Sequence, residues 1–218
     1  SDYGQNKSDS RMILDTLPLE DIKQSLIALA SNEDEMSNLI NHKFSYGNLK
    51  SLSFGDIYLL AMQNLYSDFS KSVEKSKNIF NITGKVLPVT QDEMEICAEL
   101  INGTTIKGRQ EIPEAMNEYV SAINRVYLSP SNCKAAPGVA EAIKDADAII
   151  IGPGSLYTNV IPNLLVKGVS KAIKESKGFK IYISNIMTEP GQTYNYSLSD
   201  HIKAIKRQGI LMKNKWVL

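Results

Sequence analysis

Scarce residue types exclude several classes of protein before any motif is considered. The 218 residues contain two cysteines and two histidines, and the 24 basic residues balance the 24 acidic ones. Cys97 and Cys133 lie in different segments without CxxC spacing, so a disulfide framework is disfavoured and a reducing cytoplasm is the expected compartment. His42 and His201 have no companion ligand at metal spacing, which disfavours a zinc site. No metal is therefore expected from the residues alone.

The charge and hydropathy patterns also limit the partners. Lysine and arginine are spread along the chain rather than concentrated, so nucleic-acid binding is disfavoured. No apolar run approaches the roughly 20 residues that a membrane span needs. The polar opening SDYGQNKSDS does not have the pattern of a signal peptide. We therefore expect a protein without a membrane span that binds neither DNA nor RNA.

Three well-known catalytic motifs are missing. The chain has no GxxxxGK[ST] and no GxGxxG, which disfavours a Walker-type nucleotidase and a nicotinamide cofactor. Ser155 occupies a position typical of a nucleophile, between a predicted strand and a helix, but it lacks the GxSxG elbow. With two histidines available as a base, a hydrolytic triad is disfavoured as well.

The stretch DAIIIGPGSLYT is the most informative one that is present. Its apolar run Ala148–Ile151 predicts a strand buried on both faces. The strand leads into Gly152-Pro153-Gly154-Ser155 and then into an apolar helical pattern. Such a junction places backbone N–H groups and a helix N-terminus at the carboxyl edge of a parallel sheet, where phosphates bind. Glycine turns also occur there for purely geometric reasons, so both interpretations stay open.

A second polar loop follows the next predicted strand, Lys180–Ser184. This loop, NIMTEPGQT, would lie beside the first one, at the edge where open α/β sheets bind ligands. Its polar side chains either line a cleft or satisfy the loop backbone. A helix is predicted to follow, with Ser199 as its cap and Asp200 in its first turn. For His201 a partly exposed structural role is favoured over ligand contact.

The remaining pattern predicts an α/β fold in one domain, residues 1–218. It consists of a mostly parallel, Rossmann-like sheet with flanking helices and a β-hairpin excursion at about 84–112. The apolar stretch Phe54–Tyr66 predicts a buried central helix. Asp56 near its start either complements the helix dipole, which is favoured, or faces a cleft. Asn102-Gly103 predicts a type I′ hairpin turn, and the hairpin is expected to cap one edge of the core.

Two segments resemble the signature of the CofD-like family. They are IGPGSLYTNVIPNLLVKGV, residues 151–169, and NIMTEPGQTYNYSLSDHIKAI, residues 185–205; LPLEDIKQSLIAL and GKVLPVT fit in the same order upstream. The similarity is greater to the bacterial gluconeogenesis-factor branch. It implies a Rossmann-like fold and a cytosolic regulatory protein that is linked to UDP-sugar binding. A regulatory role is favoured over an enzymatic one, and the enzymatic role left open is that of a transferase of phosphorus-containing groups. That branch affects cell shape and envelope growth on gluconeogenic carbon sources.

The resemblance assigns a nucleotide or UDP-sugar ligand to the two loops. The residues expected to hold its phosphate, or to line the neighbouring wall, are Gly152, Gly154, Ser155, Thr158, Asn185, Thr188, Gly191 and Asp200. The family's other branch is 2-phospho-L-lactate transferase, which moves lactyl-phosphate from a guanylyl donor to a deazaflavin. If that alternative holds, Mg²⁺ is the expected cofactor. A homo-oligomer stays open in either case.

Some positions depart from the family pattern. The family's GGGTG loop has no counterpart in this chain, so N- and C-terminal family segments are expected to be missing. Asp2 lies in SDYGQNKSDSR, a faint match to the family's DDGGSSGRLR. Asp56 replaces the asparagine of the family's GHSLGN. Asp2 and Asp56 are candidates for contact with the cleft or with a cation. At Asp56 a carboxylate would repel a phosphate or sugar diphosphate unless a cation intervened.

Overall fold

The computed structural model describes residues 19–50, 52–118, 122–208 and 216–217. The chain divides into two compact units, residues 1–88 and 89–218. Helices and strands both occur, as the α/β prediction requires. The single-domain prediction stays a prediction, and Asp2 lies outside the described residues.

The first unit is helical in its described part. Its helices are α1 (Leu19–Ala28), α2 (Glu33–Ile40), α3 (Phe54–Tyr66) and α4 (Phe69–Ile79). Apolar side chains at helical spacing on these four elements form one buried cluster. Asp68 caps α4, since its carboxylate accepts a hydrogen bond from the Lys71 N–H at 2.9 Å.

Helix α3 has the predicted bounds but not the predicted burial. Leu59 and Met62 are buried, whereas Leu65 is 70% exposed. The prediction of a helix buried all round is therefore wrong. Contacts of α3 with α1, α2 and α4 bury one side of the helix, and the apolar residues of the other side lie at the surface.

The second unit begins with an antiparallel sheet. Strands β1 (Glu95–Leu100), β2 (Thr105–Lys107) and β3 (Ile123–Ser129) lie in the order β2-β1-β3. Helix α5 (Glu111–Glu118) connects β2 to β3 along the chain. Because β3 pairs antiparallel with β1, the hairpin is part of a three-stranded sheet rather than an excursion from a parallel one.

The hairpin turn begins one residue earlier than predicted and has one more residue in its loop. The Gly103 N–H donates to the Leu100 carbonyl, and the Leu100 N–H donates to the Thr104 carbonyl. Gly103 has a φ of +86°. This is a three-residue turn with a left-handed glycine at its end, so the type I′ prediction is wrong. The Asn102 side chain accepts from the Thr104 N–H at 3.0 Å, which fixes the turn.

The second sheet is parallel and carries the two predicted loops. It consists of β4 (Ala148–Ile151), β5 (Phe179–Tyr182) and β6 (Trp216–Val217), in that order. The helices along this part of the chain are α6 (Val139–Asp145), α7 (Ile161–Leu165), α8 (Val169–Glu175) and α9 (Leu198–Arg207). The apolar helical pattern after the first loop does not form one continuous helix, because it is interrupted between α7 and α8, where Gly168 has a φ of +101°.

Strand β4 is buried on one face only. Ile151 of β4 and Tyr182 of β5 are buried, whereas Ile150 and Phe179 on the opposite face are 59% and 72% exposed. The prediction of burial on both faces is therefore wrong, because no described element covers that second face. Among the described residues the sheets are small, and a mostly parallel Rossmann-like sheet is not seen.

Candidate functional site

The carboxyl ends of β4 and β5 bring the two predicted loops together. The strands are adjacent and parallel, and the Ile183 N–H continues their pairing by donating to the Ile151 carbonyl at 2.9 Å. Beyond this pair, the Gly154 N–H donates to Oδ1 of Asn185 at 3.1 Å. Side chains and backbone groups from both loops thus meet at one edge of the sheet, as the sequence predicts.

Glu189 lies at the centre of this meeting point. Ser155 Oγ donates to Glu189 Oε1 at 2.9 Å, and Asn185 Nδ2 donates to the same oxygen at 3.0 Å. The Glu189 N–H donates to Thr193 Oγ1 at 2.9 Å, which ties the loop to itself. The other carboxylate oxygen, Oε2, is buried and has no hydrogen-bond partner among the described residues.

Sequence reasoning missed Glu189. The signal was available, because Glu189 is the one charged side chain in the loop NIMTEPGQT. The prediction considered hydroxyl and amide groups as phosphate donors and did not consider the Glu189 carboxylate as their acceptor. We name Ser155, Asn185, Glu189 and the Gly154 N–H together the loop cluster.

The two glycines of the first loop have different roles. Gly152 has a φ of +88°, and a Cβ at this position would clash with the carbonyl oxygen of Ile183. Gly152 is therefore required by the close approach of the two strand ends. At Gly154 a Cβ would make ordinary contacts of 3.6 Å or more, with Asn159 and Val160. What Gly154 contributes is its N–H group, which is directed at Asn185.

A buried layer of hydroxyl groups and one imidazole lies in the same unit. Tyr157 and Tyr196 share a hydrogen bond of 2.9 Å between their hydroxyls, and the Tyr182 hydroxyl lies 3.0 Å from His201 Nδ1. Thr158 is buried too, and its Oγ1 donates to Asn159 Oδ1 at 3.2 Å. These hydrogen bonds join polar groups from the segment that follows the first loop, from β5 and from α9.

Burial changes the pKa values in this layer, which we call the tyrosine layer (Tyr157, Tyr182, Tyr196 and His201). It raises the pKa of Tyr157, with a further contribution from the hydrogen bond to Tyr196. Burial, followed by the charge of Glu189, raises the pKa of Tyr182 to about 12. Burial also lowers the pKa of His201, and the negative charges of nearby carboxylates oppose this shift. His201 is 3% exposed, so the prediction of partial exposure is wrong.

Three other predicted ligand residues lie outside these contacts. Thr188 is exposed, and Gly191 occupies a turn with a φ of +76°. Asp200 forms a capping box at the start of α9, where its carboxylate accepts hydrogen bonds from the N–H and hydroxyl of Ser197. Those bonds lower the pKa of Asp200 to about 2. The helix begins at Leu198, so its cap is Ser197, two residues before the predicted cap Ser199.

Asp56 belongs to the first unit and has structural partners there. It forms a capping box with Ser53 at the start of α3. Its Oδ1 also accepts from Lys23 Nζ at 2.8 Å, and Lys23 is buried. These contacts fit the favoured interpretation of Asp56 as a residue of the helix N-terminus.

The described residues contain neither a metal-binding cluster nor a membrane-spanning helix. No group of three or more histidine, cysteine, aspartate or glutamate side chains could hold a metal ion within the described part of the chain. In the same residues, no helix combines the length and hydropathy needed to cross a membrane.

Comparison with known proteins gives one family. The family model described as 2-phospho-L-lactate transferase CofD matches residues 1–214. A crystal structure of a Bacillus halodurans protein aligns with a TM-score of 0.84 and 40% sequence identity, over 91% of this chain and 63% of that one.

Two curated relatives have greater coverage of this chain. The gluconeogenesis factor of Bacillus subtilis is 38% identical over 208 residues, which is 95% of this chain and 64% of the relative. A Clostridium acetobutylicum relative is 43% identical over 207 residues, which is 95% of this chain and 46% of the relative. The chain thus spans about half to two thirds of the length of these relatives.

Proposed function

The chain belongs to the CofD family, and on that premise we propose that it binds a nucleotide sugar as a regulatory protein of the gluconeogenesis-factor type. We further propose that it acts in the cytosol on cell shape and envelope growth when carbon sources are gluconeogenic. The name of the Bacillus subtilis relative supports the branch. The loop cluster supports the ligand, because side-chain and backbone donors from two strand ends converge at one sheet edge.

The ligand's phosphates would take the donors of the loop cluster. Ser155 Oγ and Asn185 Nδ2 are 2.9 and 3.0 Å from a single acceptor oxygen, which is the arrangement that holds an anionic oxygen. The first turn of the helical segment that begins at Leu156 adds backbone N–H groups at the same edge. Thr158, Thr188, Gly191 and Asp200 would contribute to the surrounding wall or to sugar hydroxyls.

The proposed fold extends the parallel sheet. We propose that β4, β5 and β6 are three strands of a Rossmann-like, mostly parallel sheet in the whole protein. The exposed apolar side chains of Ile150 and Phe179 support this, since parallel sheets are normally covered on both faces.

Thermal stability in the presence of candidate ligands tests the proposal. A ligand that binds only the folded state raises the melting temperature. We expect a rise with millimolar UDP-N-acetylglucosamine and Mg²⁺, and none with GTP or GDP under the same conditions. A cooperative melt that none of the three ligands shifts would contradict nucleotide binding.

Two substitutions locate the ligand. Ser155→Ala and Asn185→Ala each remove one donor of the loop cluster, and both should weaken UDP-sugar binding while the protein remains folded. Ser199→Ala and Asn124→Ala are matched controls at exposed positions. Unchanged affinity in both cluster variants, measured by calorimetry, would move the site elsewhere.

A second function is favoured by the family description itself. As a phosphotransferase of the 2-phospho-L-lactate type, the protein would position a guanylyl donor against a deazaflavin hydroxyl, with Mg²⁺ neutralising the phosphates. Ser155 and Asn185 would then orient the donor phosphate rather than hold a regulatory ligand. A melting shift with guanine nucleotides alone, together with turnover of the donor, would select this alternative.

A further inference from the structure

Glu189 holds the donors that the proposed function assigns to a ligand phosphate. Ser155 Oγ and Asn185 Nδ2 both donate to its Oε1. Carboxylate and phosphate oxygens are both anionic acceptors, and a hydroxyl has one hydrogen to donate. A phosphate oxygen and Glu189 Oε1 therefore compete for the Ser155 hydroxyl hydrogen and for the same position between the two donors.

The charge of Glu189 has no counterion in the loop cluster. None of the ion pairs found among the described residues includes Glu189. Its Oε2 is sealed from solvent and lacks a hydrogen-bond partner. A carboxylate in this state repels a second anion strongly, and its own buried oxygen is left unsatisfied. An incoming phosphate therefore cannot simply bind beside Glu189.

Only the side chain of Glu189 has to move to free the donors. Its backbone is held separately, because the Glu189 N–H donates to Thr193 Oγ1 and the N–H groups of Gln192 and Thr193 donate to the Glu189 carbonyl. Rotation about the side-chain bonds would release Ser155 and Asn185 without unfolding the loop.

Resting on the proposed nucleotide site, we propose that Glu189 is an internal anion that occupies the phosphate position of the loop cluster. A phosphate-bearing ligand binds by displacing the Glu189 carboxylate from Ser155 and Asn185. Glu189 thereby sets the affinity of the site below what its donors can supply. Glu189 also favours ligands whose phosphates carry enough negative charge to displace its carboxylate from the two donors.

Charge removal at Glu189 tests this directly. Glu189→Gln keeps the size of the side chain and a carbonyl acceptor but removes the negative charge. Binding of inorganic pyrophosphate and of UDP-N-acetylglucosamine would be measured by calorimetry at fixed ionic strength without Mg²⁺. We expect Glu189→Gln to bind both at least about tenfold more tightly than the wild type.

Two further variants control this result. Glu175→Gln makes the same chemical change at the end of α8, where the glutamate is partly exposed and paired with Lys144 at 2.9 Å, and its affinity should equal that of the wild type. In the Glu189→Gln background, Ser155→Ala should remove most of the gain, because the gain acts through the released hydroxyl. If Glu189→Gln fails to give a cooperative melt, Glu189→Ala makes the same test.

The outcomes separate this inference from the proposed function. Wild-type binding with equal or weaker binding by the Glu189 variants would overturn the internal anion and leave the nucleotide site intact. Binding by the variants alone would support the internal anion and contradict ligand binding by the wild type. Absence of binding in every protein, with intact melts, would overturn both.

Discussion

The two units each hold a carboxylate in a polar network, and the networks differ in how completely they are satisfied. In the first unit, Asp56 accepts from the Ser53 N–H and from Lys23 Nζ, both at 2.8 Å. In the second, within the described part of the chain, Glu189 accepts from neutral groups alone and its Oε2 has no partner. A carboxylate neutralised by a lysine stabilises a helix junction, whereas one without a counterion is available to compete with a ligand.

The pKa shifts in the first network confirm that its charges are matched. Burial opposes ionisation of Asp56, but hydrogen bonds from Lys23 and Ser53 outweigh it and lower the Asp56 pKa. Burial likewise opposes the charge on Lys23, and the hydrogen bonds to Asp56 and Glu20 outweigh it and raise the Lys23 pKa. Both residues therefore stay charged near neutral pH.

Lys23→Ala should cause the largest loss of stability, because it removes the cation of the first network. It leaves the partly buried Asp56 carboxylate without its cation, and we expect the free energy of unfolding to fall by about 3 kcal/mol. Urea unfolding gives the value. Lys75→Ala on the exposed face of α4 is the matched control and should change stability by less than about 0.5 kcal/mol.

A double-variant cycle separates charge from packing in the same network. Adding Asp56→Asn to Lys23→Ala removes the unpaired charge, so it should recover part of the lost stability. Equal losses for the single and double variants would mean that the aliphatic stem of Lys23, rather than its charge, stabilises the junction.

Gly152→Ala should destabilise the adjacent strand ends that carry the second network. The methyl group would clash with the Ile183 carbonyl at a φ that alanine rarely adopts, so we expect a loss of about 2 kcal/mol. Gly154→Ala, two residues away, meets only ordinary contacts and should change the midpoint little. Similar midpoints for the two variants in urea would contradict the assigned strand-end geometry.

Acid should weaken the Asp56 network. The folded pKa of Asp56 lies below its ordinary value of 3.8, so the unfolded state binds the proton more readily as the pH falls. The stabilisation is therefore present above that ordinary value and is lost as the pH falls through the folded pKa. Stability profiles of the wild type and Asp56→Asn should converge in acid.

Among the substitutions within the two networks, Ser155→Ala should have the smallest effect on stability. It removes one of two donors to Glu189 Oε1, and Asn185 remains, so we expect a loss of about 1 kcal/mol. Ser199→Ala should lose less, since Ser199 is exposed and does not cap α9. A loss much larger than 1 kcal/mol would mean that the loop cluster stabilises the fold more than its geometry indicates.

Local rules predicted much of the helical unit. The apolar stretch Phe54–Tyr66 predicted the bounds of α3, and Asp68, which caps α4, is a residue type that commonly caps helices. Such signals depend on neighbours within one or two turns, which the sequence contains. The burial of Leu65 was mispredicted because it depends on which faces of α3 meet other helices, and hydropathy alone does not carry that information.

The location of the candidate site was predictable from the sequence, but its hydrogen-bond partners were not. Strand ends followed by polar loops located Ser155 and Asn185 correctly at one sheet edge. Their common acceptor, Glu189, lies 34 residues from Ser155 and 4 residues from Asn185 in the chain. The sequence pattern does not show that these side chains point at the same place. The structural role of Asp200 was missed for a different reason: Ser197 and Asp200 have the local spacing of a capping box, and that signal was assigned to Ser199 instead.

The tyrosine layer provides an optical signal that needs no label. A tyrosine with the ordinary pKa of about 10 is largely phenolate at pH 11 and absorbs at longer wavelength. Tyr157 and Tyr182 keep their protons there, because burial raises both pKa values, that of Tyr182 to about 12. Opening of the layer would release those protons in one step. Absorbance at alkaline pH should therefore report the integrity of the loop region in solution, including any tightening by a bound ligand.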